Sequence, residues 1–346
     1  MDTTHPYAPS WLDRITDGVR HLPIPFALVY LVVGLILSLG RSAVGWADGA
    51  YPVGTFLPVH VLDGLMPLYF LFVIHFLDDM ARRALADYRA KLTGEASYDE
   101  LVYRLTTMPA VTTLILGVLG FAFGAIYIHL FLSPVDVADS RYFTSPTAVV
   151  VDTVLSGLSG LMMVMFAFHT IRQLRMISRI YTRHTSVSIF AVGPLYALSR
   201  ITALTSVSLL LFSYVYLAVY TDWSINSISN GVILAAILVV SLLAFIVPLW
   251  GAHRLLQREK NHRQGEVGRR IEATADALHA KSDAGEYTAD MDHLNTALDG
   301  LLKERGVVAK ASTWPWEPDA VRAVITAVLL PVFIWLVTRI LERVGI

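Results

Sequence analysis

Trp314-Pro-Trp-Glu-Pro318 lies between a polar arm and the last apolar segment of the chain. This change from polar to apolar sequence decides the fold. The arm runs from His253 to about Ser312, after an apolar run that ends at Trp250. The last apolar segment, Ala320 to Leu341, is long enough to cross a bilayer, which takes about 20 residues. The pattern therefore predicts a water-exposed arm held between two membrane-spanning helices.

The composition of the whole chain is typical of an integral membrane protein. Its 346 residues are 55% hydrophobic and 16% charged, whereas soluble domains carry about 25% charged residues. Lipid tails do not solvate charge, so this deficit predicts a lipid-facing surface. The net charge of −1 gives no basic character for a nucleic-acid partner, and the absence of cysteine excludes disulfides and cysteine-ligated metals.

Apolar runs predict an all-α, polytopic membrane protein with about seven transmembrane helices. The first six form a bundle over residues 23–250, and the seventh lies in residues 318–346. Residues 1–22 form a separate amphipathic segment that lacks the order of a signal peptide. Within it, Trp11, Ile15 and Val19 share a helical face, which predicts a short helix on the membrane surface. We expect the protein in a plasma or inner membrane.

The fourth to sixth helices are expected to extend into the cytosol, and residues 251–317 are expected to form a cytosolic helical arm. Two apolar stripes on either side of Gly285 predict a helical hairpin within this arm. Such stripes are too apolar to remain wet, so we expect them to be buried within the hairpin or between subunits. The stripe residues are Ile271 and Leu278, and Leu294, Leu298 and Leu301.

Lysine and arginine are distributed unequally between alternate loops. The N-terminal segment, the 79–108 connection, residues 172–183 and the arm are basic, whereas the remaining connections hold Arg41 and Arg141. Because basic loops remain in the cytosol, this asymmetry places the N-terminus inside and the C-terminus outside. The outer segments are correspondingly acidic, with Asp48, Asp136 and Asp139 among them, and an acidic vestibule would concentrate cations.

Four polar side chains within the apolar runs are candidates for a site among spans two to four. His60 and Asp63 share a helical face, and together with His129 or Asp152 they could bind a divalent metal. The alternative is that Asp63 faces water at the interface. His75, His129 and His169 could be haem ligands. No compact metal motif, phosphate loop or catalytic triad accompanies these residues, so no cofactor is expected and an enzyme is not favoured.

The layout resembles the insect odorant and gustatory receptor superfamily of seven-helix ion channels. The likeness lies in seven spans with the N-terminus inside, in long fourth to sixth helices, and in a helical segment before the last span. In that superfamily the cytosolic extensions join four subunits and the last helix lines the pore. Its last helix carries a Thr-Tyr…Gln-Phe type signature, whereas residues 326–341 here contain neither Tyr nor Gln. No functional residue is therefore carried over by motif.

The resemblance implies an oligomeric channel, with a homotetramer favoured, and we expect it to be gated by a small molecule and permeable to cations. Thr326, Leu330, Ile334 and Thr338 lie at intervals of four residues along one face of the last helix and are the expected pore-lining positions. Pro331 is expected to bend this helix. The alternatives are a transporter or a metal- or haem-dependent membrane enzyme with a polar site among spans two to four, and a signalling or scaffold protein whose hairpin recruits a partner.

Overall fold

The computed structural model describes residues 5–89, 92, 97–131, 143–184, 193–220, 228–285 and 289–344 of the chain. The regular structure of these ranges is helical. The helices are α1 (Trp11–Arg20), α2 (Phe26–Ala47), α3 (Pro58–Tyr88), α4 (Tyr98–Thr106), α5 (Ala110–Phe131), α6 (Pro146–Arg183), α7 (Gly193–Tyr220), α8 (Ile228–Asp283), α9 (Ala289–Lys310) and α10 (Pro318–Val344).

Six of the described helices, α2, α3, α5, α6, α7 and α8, are long and apolar enough to cross a membrane. Their outward surfaces agree with this reading, because α5 leaves Val111, Leu114 and Val118 more than half exposed. A continuous apolar surface of this kind is unfavourable in water and suited to lipid. The chain is therefore a multi-pass, all-helical membrane protein. The predicted seventh span corresponds to α10, whose side chains are described up to Leu330 and at Phe333, and the count of seven stays a prediction.

Contacts between helix ends define two sides of the bundle. The first, here called the arm side, gathers α1, the end of α3, the end of α6, the start of α7, and the segment that joins the arm to α10. The contacts that define it join the pairs Arg20–Asp79, Tyr88–Tyr181, Thr182–Gly251 and Arg200–Glu317. The described segments predicted to be cytosolic thus meet at one end of the bundle.

The opposite end, here called the loop side, carries the α2–α3 connection and the described part of the α5–α6 connection. Ser145 begins α6 there, because its hydroxyl accepts a hydrogen bond from the Ala148 amide and Pro146 occupies the first turn. The same hydroxyl donates to Asp48 in the α2–α3 connection. The two connections are therefore held together at this end.

Two helices extend well beyond the thickness of a bilayer. The fourth predicted span, α6, has 38 residues, and the sixth, α8, has 56 residues that pass through position 250 without interruption. The fifth, α7, begins at Gly193 in the described chain, and residues 185–192, part of its expected cytosolic entry, lie outside the described residues. α8 therefore joins the bundle and the arm as one element.

The arm folds as a helical hairpin in which α9 returns along α8. Gly285 has a φ of +71°, a backbone conformation that L side chains rarely adopt, and it lies two residues after the end of α8. Val267 and Val308 are fully or almost fully buried, whereas the stripe residues are half-buried. The stripes are Ile271 and Leu278 on α8 and Leu294, Leu298 and Leu301 on α9.

Small residues allow α5 and α6 to approach very closely. A β-carbon added at Gly124 would lie 2.1 Å from the backbone oxygen of Ser156, and one added at Gly160 would lie 2.5 Å from the oxygen of Gly120. The Ser156 hydroxyl also donates to the Gly124 carbonyl at 2.7 Å. Helices in lipid associate largely through such close packing, so this pair forms a tight unit within the bundle.

Helix α1 packs on the bundle through Leu12 and Thr16, which are buried. Of the predicted apolar face, Trp11 and Val19 are partly buried against the core and Ile15 is 44% exposed, so that contact of this face with the membrane surface stays a prediction. The Asp13 carboxylate fixes the start of the helix by accepting from the Ser10 amide and hydroxyl, and from the Met108 amide at 3.0 Å. The bond from Met108 ties the start of α1 to the segment just before α5.

Candidate functional site

Two clusters of buried and half-buried polar side chains lie around the contacts of α2, α3 and α6, one near each side of the bundle. The loop-side cluster consists of Arg41, Tyr51, His60 and Asp152. The arm-side cluster consists of Tyr30, His75, Asp78, Asp79, His169 and Gln173. Ionisable groups in the membrane are costly and usually functional, so these clusters are the first candidates for a site.

An ion pair between Arg41 of α2 and Asp152 of α6 is the centre of the loop-side cluster. Both side chains are almost completely buried, at 0% and 1% exposure. The Arg41 Nε–H donates to one carboxylate oxygen, and Nη2 donates to the other at 3.1 Å. The Phe143 amide donates to Asp152 at 3.1 Å. This bidentate geometry compensates for the loss of hydration of both charges.

Tyr51 connects the α2–α3 connection to this cluster. Its hydroxyl lies 3.0 Å from His60 Nδ1 and also interacts with Arg41. Gly45 makes room for the ring, since a β-carbon there would lie 2.0 Å from the Tyr51 oxygen. Burial raises the pKa of the Tyr51 hydroxyl above its ordinary value. The hydroxyl is therefore a neutral hydrogen-bonding group at neutral pH.

The four polar residues predicted to form one site, His60, Asp63, His129 and Asp152, do not all contact one another. Asp152 pairs with Arg41, and His60 contacts Tyr51. His129 Nε2 instead lies 2.9 Å from the Thr153 hydroxyl, with its ring stacked on Phe143. Asp63 is half-buried. Among the described residues, no three His, Asp or Glu side chains are grouped so that they could hold a metal ion.

In the arm-side cluster, α6 contributes two side chains to one carboxylate of α3. His169 Nε2 lies 2.8 Å from Asp78 Oδ1, and the Gln173 side-chain amide donates to the same oxygen at 3.3 Å. All three side chains are buried. His169 Nε2 is therefore occupied by Asp78, which disfavours a role for this histidine as a haem ligand.

His75 of α3 lies in the same cluster, at the contact between α2 and α3. Phe26 stacks on its ring with centroids 4.3 Å apart, and the Tyr30 hydroxyl lies 2.9 Å from His75 Nδ1. Its Nε2 lies 4.0 Å from the Asp79 carboxylate, which is held in turn by Arg20 at 2.8 Å. The cluster thus extends from the bundle interior to α1 at the arm side.

Several buried atoms of this region have no hydrogen-bond partner in the described part of the chain. They are His75 Nε2, His169 Nδ1, Thr170 Oγ1 and Gln173 Oε1. Buried polar atoms are ordinarily met by protein groups, internal water or a polar ligand. These four atoms therefore give the arm-side cluster the capacity to bind a proton or a small polar species.

His75 and His169 are candidate haem ligands by sequence, and their carboxylate partners are not predicted. The available signal was the pair Asp78-Asp79 at the end of the second span, three and four residues after His75. That spacing puts His75 and Asp79 on one helical face. The pairing of Asp78 with His169 depends on how α3 and α6 pack, which the sequence alone does not specify.

The last helix packs chiefly on α7. Ala320 and Val324 face the protein and are buried, and the Tyr214 hydroxyl donates to the Ala327 carbonyl at 2.9 Å. The predicted pore-lining residues Thr326 and Leu330 are exposed on the single chain. The side chains of Ile334 and Thr338 lie outside the described residues.

A compact elbow joins the arm to α10 on the arm side. Arg200 of α7 donates to both carboxylate oxygens of Glu317, at 2.8 and 2.6 Å, and this contact lowers the Glu317 pKa below its ordinary value. His253 of α8 stacks on Trp314 with ring centroids 4.0 Å apart. Lys260 donates to the Ala309 carbonyl at the end of α9. The elbow therefore fixes the start of α10 against both α7 and α8.

Comparison with known protein families, with curated proteins and with solved structures finds no match for this chain.

Proposed function

We propose that the protein is an oligomeric, channel-like membrane protein in which α10 of each subunit lines a shared pathway. The observation that carries this proposal is the position of α10, which packs on α7 along one face and presents Thr326 and Leu330 away from its own bundle. Self-association would place these faces around a common axis, and a mainly apolar wall of this kind can gate by dewetting.

Three further features belong to the proposal. The half-buried leucine stripes of the hairpin provide a contact between subunits on the cytosolic side, and a homotetramer is the assembly we favour. The basic arm side faces the cytosol and the acidic loop side faces outward, so that cations are concentrated at the outer entrance. The elbow at Arg200 and Glu317 transmits movements of the arm to α10.

Cysteine accessibility tests the pathway directly, because the chain has no native cysteine. Single cysteines at Thr326, Leu330, Ile334 and Thr338 should react with a water-soluble thiol reagent in the reconstituted protein. Cysteines at Leu329 and Phe333, on the adjacent face, should react less, and cysteine at the buried Val324 serves as the protein-facing control. Equal protection at the four candidates and the two flanking positions would exclude a pathway along this helix.

Native mass spectrometry in detergent tests the assembly. A tetramer supports the channel proposal, and a monomer contradicts it. We expect Leu294→Asp combined with Leu298→Asp to break the assembly or lower its thermal stability, whereas Leu302→Asp is the matched control because Leu302 is already 40% exposed. An unchanged mass and an unchanged melting temperature for the double variant would remove the hairpin from the interface.

A proton- or ion-coupled transporter is the second candidate, and the arm-side cluster favours it. Asp78, His169 and Gln173 form a buried, hydrogen-bonded set beside atoms without partners in the described chain. Proton flux into liposomes that contain the protein tests this candidate. Asp78→Asn should abolish the flux and Asp292→Asn, at an exposed position of the arm, should not. Equal flux in both variants would exclude a role for Asp78 in proton transfer.

A further inference from the structure

An apolar groove of about 500 Å³ opens on the outer surface of the bundle between α5, α6 and α1. Leu114, Gly117 and Phe121 of α5 and Leu161 of α6 line it, and Trp11 of α1 closes one end. Gly117 forms part of the floor, since a β-carbon there would lie 3.9 Å from Trp11 and 4.0 Å from Leu161, in ordinary contact with both. The groove is therefore preformed and contains almost no polar surface.

The depth of the groove along α5 indicates which part of the bilayer it faces. Gly117 lies seven residues after the start of α5, which corresponds to a depth of about 10 Å from the arm-side end of the helix. The flanking Leu114 and Val118 are 60% and 62% exposed on a helix of membrane-spanning length. The groove thus opens into the hydrocarbon of the leaflet on the arm side.

Helix α1, whose Trp11 closes one end of the groove, also carries two arginines, Arg14 and Arg20. Arg20 is engaged by Asp17 at 3.2 Å and by Asp79 at 2.8 Å, and the Asp13 carboxylate is turned toward Ser10 and Met108. The Arg14 side chain is exposed and forms no ion pair with any residue that the structure describes. It lies three residues after Trp11, on a neighbouring position of the same helix.

We propose that this groove binds one anionic phospholipid of the arm-side leaflet. An acyl chain lies against Gly117, Phe121 and Leu161, and the phosphate of the headgroup binds the Arg14 guanidinium. Tryptophan is favoured at the headgroup boundary, so Trp11 separates the two parts of the lipid. Arginine binds phosphate by charge-assisted, bidentate hydrogen bonds, which distinguishes this site from the ordinary contact of lipid tails with α5.

Lipid retention tests the proposal on the full chain. The protein is exchanged from nanodiscs of phosphatidylcholine with phosphatidylglycerol into detergent, and the lipid bound per chain is measured by native mass spectrometry. We expect one retained phosphatidylglycerol per chain. Arg14→Gln should lower its retention about fivefold, the effect of one basic side chain at an anionic surface. Arg322→Gln is the matched control, because Arg322 is exposed on another helix.

A second variant tests the acyl-chain part of the site. Gly117→Phe should fill the groove and lower retention of the lipid, whereas Gly40→Phe is the control, since Gly40 is a membrane-helix glycine with open space around it. Equal retention of phosphatidylglycerol in the native chain and in Arg14→Gln, or equal retention of phosphatidylcholine and phosphatidylglycerol by the native chain, would overturn the proposal. So would a change of oligomeric mass in Gly117→Phe, because the groove would then be a contact between subunits.

Discussion

Arg41 and Asp152 show how a charged residue is accommodated inside an apolar bundle. Neither side chain reaches water, and each satisfies the other through two contacts. Removal of one partner leaves a buried charge without compensation, whereas replacement of both by apolar residues avoids that penalty. The intact pair therefore adds little net stability compared with an apolar pair, although the loss of either partner alone is costly.

We expect Arg41→Gln to destabilise the protein by about 3–5 kcal/mol, because Asp152 would lose its counter-ion in a buried position. Thermal unfolding in detergent, monitored by aggregation or by tryptophan fluorescence, measures the change. The combined variant Arg41→Met with Asp152→Leu should recover most of the loss. Arg322→Gln is the exposed control and should cost about 1 kcal/mol or less, since its partner Asp319 is also exposed.

The sequence predicted Asp152 as a site residue and assigned Arg41 to the outer connection. The charge of Arg41 interrupts the first apolar run of the chain, and this is why the sequence pattern places Arg41 in a connection. In the structure, α2 continues to Ala47 and carries Arg41 into the bundle. A hydropathy pattern treats every charge as a boundary, and it cannot show that a carboxylate 111 residues later lies within hydrogen-bonding distance.

The Arg200–Glu317 ion pair of the elbow should make the stability of the folded protein depend on pH. The Glu317 pKa lies below its ordinary value of 4.5 because Arg200 donates to the carboxylate. A lowered carboxyl pKa stabilises the fold above the unfolded-state pKa, and this contribution is lost as the pH falls through the folded-state pKa. Glu317→Gln should therefore lower the melting temperature at neutral pH and have no effect well below pH 4.5.

The matched control for this titration is Glu304→Gln, at an exposed position of α9. It should leave the melting temperature unchanged across the whole range. Because the Arg200 side chain is 52% exposed, the difference at neutral pH should be about 1 kcal/mol or less. A loss in Glu317→Gln that is equal at neutral and acidic pH would show that the carboxylate charge does not hold the elbow.

At the scale of elements, the α5–α6 pair depends on the absence of side chains. We expect Gly124→Ala to force the helices apart, because its β-carbon would lie 2.1 Å from the Ser156 backbone oxygen. Overpacking of this kind costs about 1–3 kcal/mol, and thermal unfolding measures it. Gly40→Ala, where a β-carbon meets open space, should be neutral. Equal stability of the two variants would mean that α5 and α6 do not pack as described.

The close approach at Gly120 and Gly124, and a hairpin with Gly285 between its helices, both follow from local sequence patterns. Small residues four apart leave no side chain between two helices, and a glycine after a helix permits the turn that follows. The docking of α1 was not predictable in the same way. Leu12 and Thr16 meet the bundle, and the Met108 amide donates to the Asp13 carboxylate across 95 residues of sequence.

For the whole molecule, the arm side and the loop side should lie on opposite sides of the membrane, and a topology experiment tests this. A reporter inserted near Gly285 should report the cytosol, because the arm shares its side with the basic segments. A reporter fused after Ile346 should report the outside, since α10 starts at the elbow on the arm side and is long enough to reach the other face. Both reporters on one side would contradict seven spans.

Helix α8 has a mechanical consequence that follows from its continuity. Its 56 residues form a rod of about 84 Å, of which one part lies in the bundle and the other in the arm. Pro248 lacks a backbone N–H and removes one hydrogen bond from the rod near the membrane boundary. Because the helix is long and continuous, a small tilt of the part in the bundle corresponds to a large displacement of the hairpin tip. The His253–Trp314 stack, five residues after Pro248, connects this part of α8 to the segment that leads into α10.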